Sequence, residues 1–376
     1  MARFTFIAIG VAALLGVAGP VLAGEPLATR LETALQDVVA SDDTVFPGAI
    51  LFVGTPKAGA NAVAAGVGDI ESQAPVTPDA RFRAGSVAKP FVATVAMQLV
   101  EEVALSLDAT LAALLPEEAR AGLADADRIT LRMLLNHTSG IPDWLTEAAI
   151  GQIAADPSRV WTTADFVALA AALPRTFAPG EGWAYSNTDY NLLGAIIERA
   201  TGMPWRQAVR ERVIVPLGLA GTSLPEPGDL SMPAPFMHGY GLIGGQVTDL
   251  TFIDPSMAGA AGGGTLVTTV GDLATFLTAL RAGRLFKDPT TLAVMTDFVD
   301  AEAEGGQTGY SLGLERYVLP GGIEMIGHAG GTAGYRSGMF FFPALDLTMT
   351  FALSVQTDPS PVISAALTAV SGTGSP

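Results

Sequence analysis

Ser86-Val87-Ala88-Lys89 sets a hydroxyl and an amine three positions apart at the mouth of a long apolar run. A serine hydroxyl is a weak nucleophile at neutral pH. It needs a base within hydrogen-bond reach and donors for the developing oxyanion. On a helix, a spacing of three puts Lys89 one turn above Ser86 on the same face. Residues 89–102 are almost wholly apolar on all sides until Glu101, which predicts a buried helix. Pro90 is tolerated there only within the first turn. The lysine stem then enters the core, where desolvation lowers the ammonium pKa and favours a neutral amine. The helix N-terminus adds positive potential near Ser86. Taken alone, the same tetrad also describes an ordinary serine at a helix start beside a snorkelling lysine.

Two further groups carry chemistry. Tyr185-Ser186-Asn187 follows the turn Pro179-Gly180-Glu181-Gly182. A phenol beside a lysine ammonium is driven toward phenolate and becomes a candidate general base; the alternative is a rim aromatic in a turn. Asn187 offers an amide that can orient a substrate carbonyl or amide. Gly327-His328-Ala329-Gly330-Gly331-Thr332 ends a predicted edge strand, where glycine permits close backbone approach to a ligand. The N–H of Gly331, paired with that of Ser86, makes a candidate oxyanion hole. His137, after a helix, reads as a cap or a backbone partner, and His238, in a Pro/Gly-rich stretch, as a rim residue. The flanks of the three histidines supply no G-x-S-x-G elbow. Without cysteine or a tight carboxylate cluster, neither a metal nor another cofactor is expected.

These groups need a frame. Residues 26–41 read as an amphipathic helix with Leu27, Leu31, Leu35 and Val38 on one face. Strands are expected at 48–53 and 61–66, then helices at 89–102, 107–115, 130–135, 163–173, 189–201 and 205–213. Residues 225–264 form a Pro- and Gly-rich stretch with little periodicity. A helix follows at 270–282, strands at 311–319, 323–328, 338–342 and 347–355, and a closing helix at 360–370. The fold class is α+β: an antiparallel sheet formed from both chain ends, flanked by terminal helices, with an inserted helical domain. The sheet subdomain spans about 24–80 plus 305–376, and the helical one about 81–304.

The three groups in this order resemble those of the serine beta-lactamase and penicillin-binding protein superfamily. Ser86 to Lys89 matches its S-x-x-K, Tyr185 to Asn187 its Y-x-N, and His328 to Gly330 its third motif, usually K-T-G or H-T-G. The resemblance runs over roughly 27–355 and includes Leu135-Asn136-His137-Thr138-Ser139-Gly140-Ile141-Pro142. It is nearest to the class C beta-lactamases, the DD-carboxypeptidases with H-T-G, and their esterase relatives. It implies a sheet domain with an inserted helical domain and the active site at their junction. It also implies Ser86 as the acylated nucleophile, with Lys89 and Tyr185 sharing the proton transfers. Asn187 would hold the substrate's amide side, His328 would lie near the substrate carboxylate, and Gly331 would give the second oxyanion donor. Ala329 departs from the usual Thr, whose hydroxyl helps bind that carboxylate. Losing such a bond typically removes about 1.5–3 kcal/mol, leaving Thr332 and Arg336 to compensate. The expected activity is that of a D-alanyl-D-alanine carboxypeptidase-like hydrolase. The alternatives are an esterase or broad amidohydrolase, a true beta-lactamase, and a binding protein that keeps the fold.

Composition sets outer limits. Of 376 residues, 49% are apolar and only 15% charged, against a typical quarter, so a large core is available. The net charge is −17, and Lys and Arg form no runs. Nucleic acid and anionic membrane surfaces are poor partners; the small-molecule or peptide substrate (amide, ester or lactam) is what the family resemblance implies. Residues 1–23 have the order of a secretory signal peptide: Arg3, an apolar run, the Gly19-Pro20 break, and Ala23 at the cleavage point. The alternative is a retained anchor. Cleavage would bring the charge to −18 and place the protein in the periplasm or outside the cell, with no stable membrane insertion.

Overall fold

Short apolar strands from both chain ends zip together around β13 (Leu347–Leu353), which is buried along its whole length. A computed structural model describes residues 25–41, 45–261 and 265–372; the expected leader at 1–23 lies outside the described residues. β1 (Gly48–Thr55) pairs with β13 on one side, from Ala49 against Leu353 to Gly54 against Thr348, and with β2 (Gly59–Asp69) on the other. The nine-stranded sheet runs β3-β2-β1-β13-β12-β11-β10-β9-β8, every pair antiparallel. Its other members are β3 (Ala74–Pro75), β8 (Val299–Ala303), β9 (Gln307–Tyr310), β10 (Glu315–Leu319), β11 (Ile323–Thr332) and β12 (Tyr335–Phe342). β4 (Phe82–Arg83) pairs with β7 (Val267–Thr268), and β5 (Tyr240–Ile243) with β6 (Gln246–Asp249).

Successive side chains of a strand face opposite sides, and here each side has its own core. Ala49, Leu51, Phe340, Phe342 and Phe351 pack under α1 (Leu27–Ala40) and α12 (Ser360–Ser371), with Leu31, Leu35 and Val362. Ile50, Tyr335, Met339 and Ala352 join the core of the helical region. That region holds α2 (Ala88–Glu101), α3 (Leu111–Leu114), α4 (Leu131–Leu135), α5 (Glu147–Ala155), α6 (Thr163–Ala171), α7 (Asn187–Thr201), α8 (Trp205–Val209), α9 (Val215–Leu217), α10 (Val270–Arg281) and α11 (Pro289–Met295). No described helix is long and apolar enough to cross a membrane.

α2 is buried continuously from Ala88 to Met97, as its all-round apolar sequence requires. Pro90 lies in its first turn. Phe91 stacks on Phe276 of α10 with ring centroids 3.7 Å apart. The helix expected at 107–115 shrinks to Leu111–Leu114. The strand expected from 311 begins only at Glu315, because Ser311 to Leu314 form a turn: Ser311 N–H donates to Leu314 O at 2.8 Å. Gly313 sits there at φ +92°, where a side chain would collide with Ala93 and the Tyr190 hydroxyl. Part of the 225–264 stretch is ordered as the β5–β6 hairpin. Its turn is Gly244-Gly245, both at positive φ, the pair that a two-residue hairpin favours.

Candidate active site

The chain enters α2 through a tight turn at Gly85–Val87 that is pressed against the end of β11. Gly85 has φ +59°, and a side chain there would begin 2.7–2.8 Å from the Gly331 backbone. A side chain at Gly330 would run into Ala84 O and the Ser337 hydroxyl. Glycine at both places therefore lets the turn touch the strand, and Ser337 Oγ clamps it by donating to Ala84 O at 2.7 Å. Ser86 is left partly exposed at this junction, while Lys89 behind it is fully buried.

Lys89 Nζ lies 3.2 Å from Ser86 Oγ and 2.9 Å from Asn187 Oδ1, and 4.7 Å from the centre of the Tyr185 ring. Asn187 is fixed from its other side: its Nδ2 donates to Asp143 Oδ2 at 3.0 Å and its backbone N–H to Asp143 Oδ1 at 3.2 Å. Asp143 is held in place because Thr188 Oγ1 donates to Pro142 O and accepts from Trp144 N–H. Tyr185 completes the group: its ring lies against Lys89 Nζ and its side chain interacts with Ser86. Ser86, Lys89, Tyr185 and Asn187 thus form one connected cluster, although Tyr185 and Ser86 lie about a hundred residues apart in the chain.

The interior around Lys89 is dry, and this sets the protonation states. Burial pushes the Lys89 ammonium down from 10.5 to about 7, with Asp143, Glu315 and Asp189 pulling it partly back. Burial pushes the Tyr185 phenol well above its ordinary value, and Glu315 and Asp143 push it further in the same direction. The expected phenolate is therefore corrected: Tyr185 is a neutral phenol, because desolvation and neighbouring carboxylates outweigh the lysine. Glu315 is raised to about 7, chiefly by burial. Burial also raises Asp143. It holds Asp189 well above the usual carboxylate range.

β11 extends past the end of β10, so one edge of its last residues faces the cleft. Ala329 N–H is turned to that edge, where it donates to Glu315 Oε2 at 2.6 Å. Gly331, two residues on, shares the strand register of Ala329, and its backbone lies against the Gly85 turn that carries Ser86. His328 is fully buried, with Nε2 3.0 Å from Tyr310 Oη and Nδ1 2.5 Å from Ala329 O. Burial, with Lys89 nearby, pushes it down to about 3. It is a neutral imidazole, not a cation waiting for a carboxylate. Ala329 packs on the terminal-helix side of the sheet, as does Arg336, whose register partner is Gly331. The Arg336 guanidinium is 3.6 Å from where a side chain on Gly331 would start. Thr332 lies on the other side, with His328, and its buried hydroxyl has no partner among the described residues. Thr332 and Arg336 therefore do not face one pocket.

His137 is fully buried behind Tyr185, its Nδ1 3.1 Å from Asp189 Oδ2 and 3.3 Å from Ser186 N. The expectation of a backbone partner fits the second contact. His238 pairs with Asp249 at 2.8 Å. It lines a separate hollow with Asp69, Ser72 and Phe236, not the Ser86 cluster. Sequence reasoning missed Asp143, Asp189, Tyr310 and Glu315. The first two flank segments already singled out, 135–142 and 185–187, so their proximity was a usable signal; Glu315 and Tyr310 carried none.

A sheet domain with an inserted helical region, and a Ser-Lys-Tyr cluster where they meet, define the penicillin-binding-protein-like serine hydrolases. The chain belongs to the Beta-lactamase family, whose profile matches residues 29–371. A D-stereospecific amidohydrolase from a Streptomyces species superposes with a TM-score of 0.81 at 32% identity, covering 92% of this chain and 99% of that one. The D-amino acid amidase of Ochrobactrum anthropi SV3, in complex with D-phenylalanine, gives 0.80 at 27% identity, over 92% and 99%. Esterase EstB of Burkholderia gladioli is 38% identical over 180 residues, 45% of each chain. The chain spans about half the length of the curated relatives it matches.

Proposed function

We propose that the protein is an exported serine hydrolase that forms an acyl-enzyme on Ser86 and cleaves amide or ester bonds of small amino-acid derivatives lacking a carboxylate at the leaving end. The observation that carries this reading is His328. At the position where the resemblance calls for a carboxylate partner, the side chain is buried, tied to Tyr310 and neutral. Amide and ester hydrolysis by the similar proteins supports the same reading, and D-amino-acid amides are the substrates to try first. The leader-like residues 1–23 support export.

In the proposed cycle, neutral Lys89 takes the Ser86 proton as Oγ attacks the carbonyl carbon. The Ser86 and Gly331 N–H groups receive the oxyanion. Tyr185, a phenol, then gives its proton to the departing nitrogen or oxygen and regains one from the Lys89 ammonium. The carbonyl–leaving-group bond breaks and the acyl group stays on Ser86. Water, losing a proton to the same pair, attacks the acyl carbon; the ester bond to Oγ breaks, the pair returns the proton to Ser86 Oγ, and the acid leaves.

A second reading, a carboxypeptidase acting on peptides with a free C-terminus, is favoured by Arg336 beside Gly331. Intact-protein mass spectrometry and kinetics on a D-amino-acid amide, a p-nitrophenyl ester and a D-alanyl-D-alanine peptide separate the two. Acylation of Ser86 by the ester and turnover of the amide, both absent in Ser86→Ala, are expected. A peptide with a free carboxylate preferred by more than about tenfold, ~1.4 kcal/mol, would move the protein to the second reading. A stable penicilloyl adduct would do the same.

A further inference from the structure

The backbone on both sides of Tyr185 is tied to a single residue. Ala184 N–H donates to His137 O at 3.1 Å, and Ser186 N–H to His137 Nδ1 at 3.3 Å. The imidazole also lies against the Tyr185 ring, with centroids 4.5 Å apart and planes tilted by 40°. His137 adopts φ +62°, a left-handed conformation. That backbone turns its carbonyl and its side chain toward one neighbouring strand of chain. It is fully buried, so no substrate reaches it.

The Ser186 contact, if it is a hydrogen bond, sets which nitrogen holds the proton. Asp189 Oδ2 is 3.1 Å from the same Nδ1, and Asp189 Oδ1 accepts from Ser139 Oγ at 2.6 Å. A nitrogen that accepts from Ser186 N–H can face a carboxyl oxygen only if that oxygen carries the proton. The buried Asp189, held well above the usual carboxylate range, meets this condition. The imidazole proton then sits on Nε2, which has no hydrogen-bond partner among the described residues and is enclosed by the rings of Tyr185, Tyr190 and Tyr310.

We propose that His137 is a positioning residue: through its carbonyl and its Nδ1 lone pair it pins the two peptide groups flanking Tyr185 and so holds the phenol at Ser86. It transfers no proton. The inference rests on the reading of Tyr185 as a proton carrier. The acceptor matters more than the ring, because displacing a reacting group by about 1 Å can lower a rate by ~100-fold.

Two variants separate acceptor from ring. His137→Asn keeps an oxygen near the Nδ1 position and tolerates the left-handed backbone; His137→Phe keeps a ring and loses the acceptor. At equal folded fraction, the Phe variant should lose roughly 100-fold in kcat with little change in KM. The Asn variant should stay within about tenfold of wild type. Equal rates for Phe and wild type, or Asn slower than Phe, would overturn the proposal and leave His137 a packing residue. If the Phe variant does not fold, nitrogen NMR of wild-type His137 decides: a proton on Nε2 at neutral pH is expected, and one on Nδ1 overturns the idea. Ser86→Ala is run in parallel with a p-nitrophenyl ester. Full activity there would sink the proposed function itself, whereas an inactive Ser86→Ala with an active Phe variant sinks only this inference.

Discussion

Replacing Lys89 with Met should inactivate the protein and also make it more stable. Lys89 is fully buried in α2, and its pKa falls from 10.5 to about 7. That difference corresponds to ~5 kcal/mol at about 1.4 kcal/mol per unit, the free energy by which folding disfavours its ammonium form. The sign follows from proton counting. Between pH 7 and 10.5 the unfolded chain holds a proton on this side chain that the folded chain lacks, so stability rises with pH across that window. Met removes the penalty. It also removes the hydrogen bonds to Ser86 and Asn187, among the described residues, each contributing about 1 kcal/mol. The net expectation at neutral pH is a variant more stable by ~1–3 kcal/mol, with no ester-derived acylation of Ser86. Urea unfolding of both proteins at several pH values checks this. The advantage of the variant should shrink by ~2–3 kcal/mol between roughly pH 7.5 and roughly pH 9.5. A variant that is less stable, by an amount that does not change with pH, would mean that Lys89 is charged in the folded protein. The amine could not then be the base.

Tyr185→Phe should slow amide hydrolysis by ~100-fold or more and p-nitrophenyl ester hydrolysis much less, because nitrophenolate leaves without a proton; equal losses on both substrates would refute its role as the acid. The kcat/KM profile should rise with pH through about 7, as Lys89 loses its proton. Glu315→Gln should move that limb downward, since Glu315 is one of the charges that favour the ammonium, and an unmoved limb would separate the two groups. Asp189→Asn should lose less than about 1 kcal/mol in denaturant unfolding, because an amide mimics a protonated carboxyl. Asp189→Ala should lose ~2–4 kcal/mol by leaving the Ser139 hydroxyl proton without its acceptor and removing the carboxyl beside His137 Nδ1.

What could be read beforehand followed the range of each interaction. Ser86 and Lys89 are three residues apart in a continuously apolar stretch, so both the pairing and the burial of the lysine were local facts. The two-ended sheet was legible because apolar strand patterns lie at both ends of the chain with helical spacing between them. The ionisation of Tyr185 was not local. One neighbouring lysine could be seen, but the opposing groups, Asp143 and Glu315, come from a loop after α4 and from β10, and desolvation depends on the assembled core. His328 failed for the same reason: its place in the third motif was visible, but its bond to Tyr310 and its burial were not. The Gly244-Gly245 pair carried a hairpin signal that the surrounding Pro and Gly obscured. The turn at Gly313 depends on Ala93 and Tyr190, which no local pattern announces.

The proton positions in the cluster share one cause. Sealing α2 on every side strips water from Lys89, so the amine loses its charge near neutrality. The same dry interior keeps Tyr185 protonated and His328 neutral, and it raises Asp143, Asp189 and Glu315. A base without its proton and an acid with its proton are then present together at Ser86, the combination an acyl transfer needs. An arginine at position 89 could not serve, because its guanidinium stays charged even when buried. A more hydrated α2 would return Lys89 to the ammonium form and leave Ser86 without an acceptor for its proton. In the proposed cycle the burial of the largely apolar segment 88–97 is therefore part of what keeps Lys89 a base, and a polar substitution on α2 one turn beyond Lys89, such as Val92→Asn, should raise the pH at which activity appears.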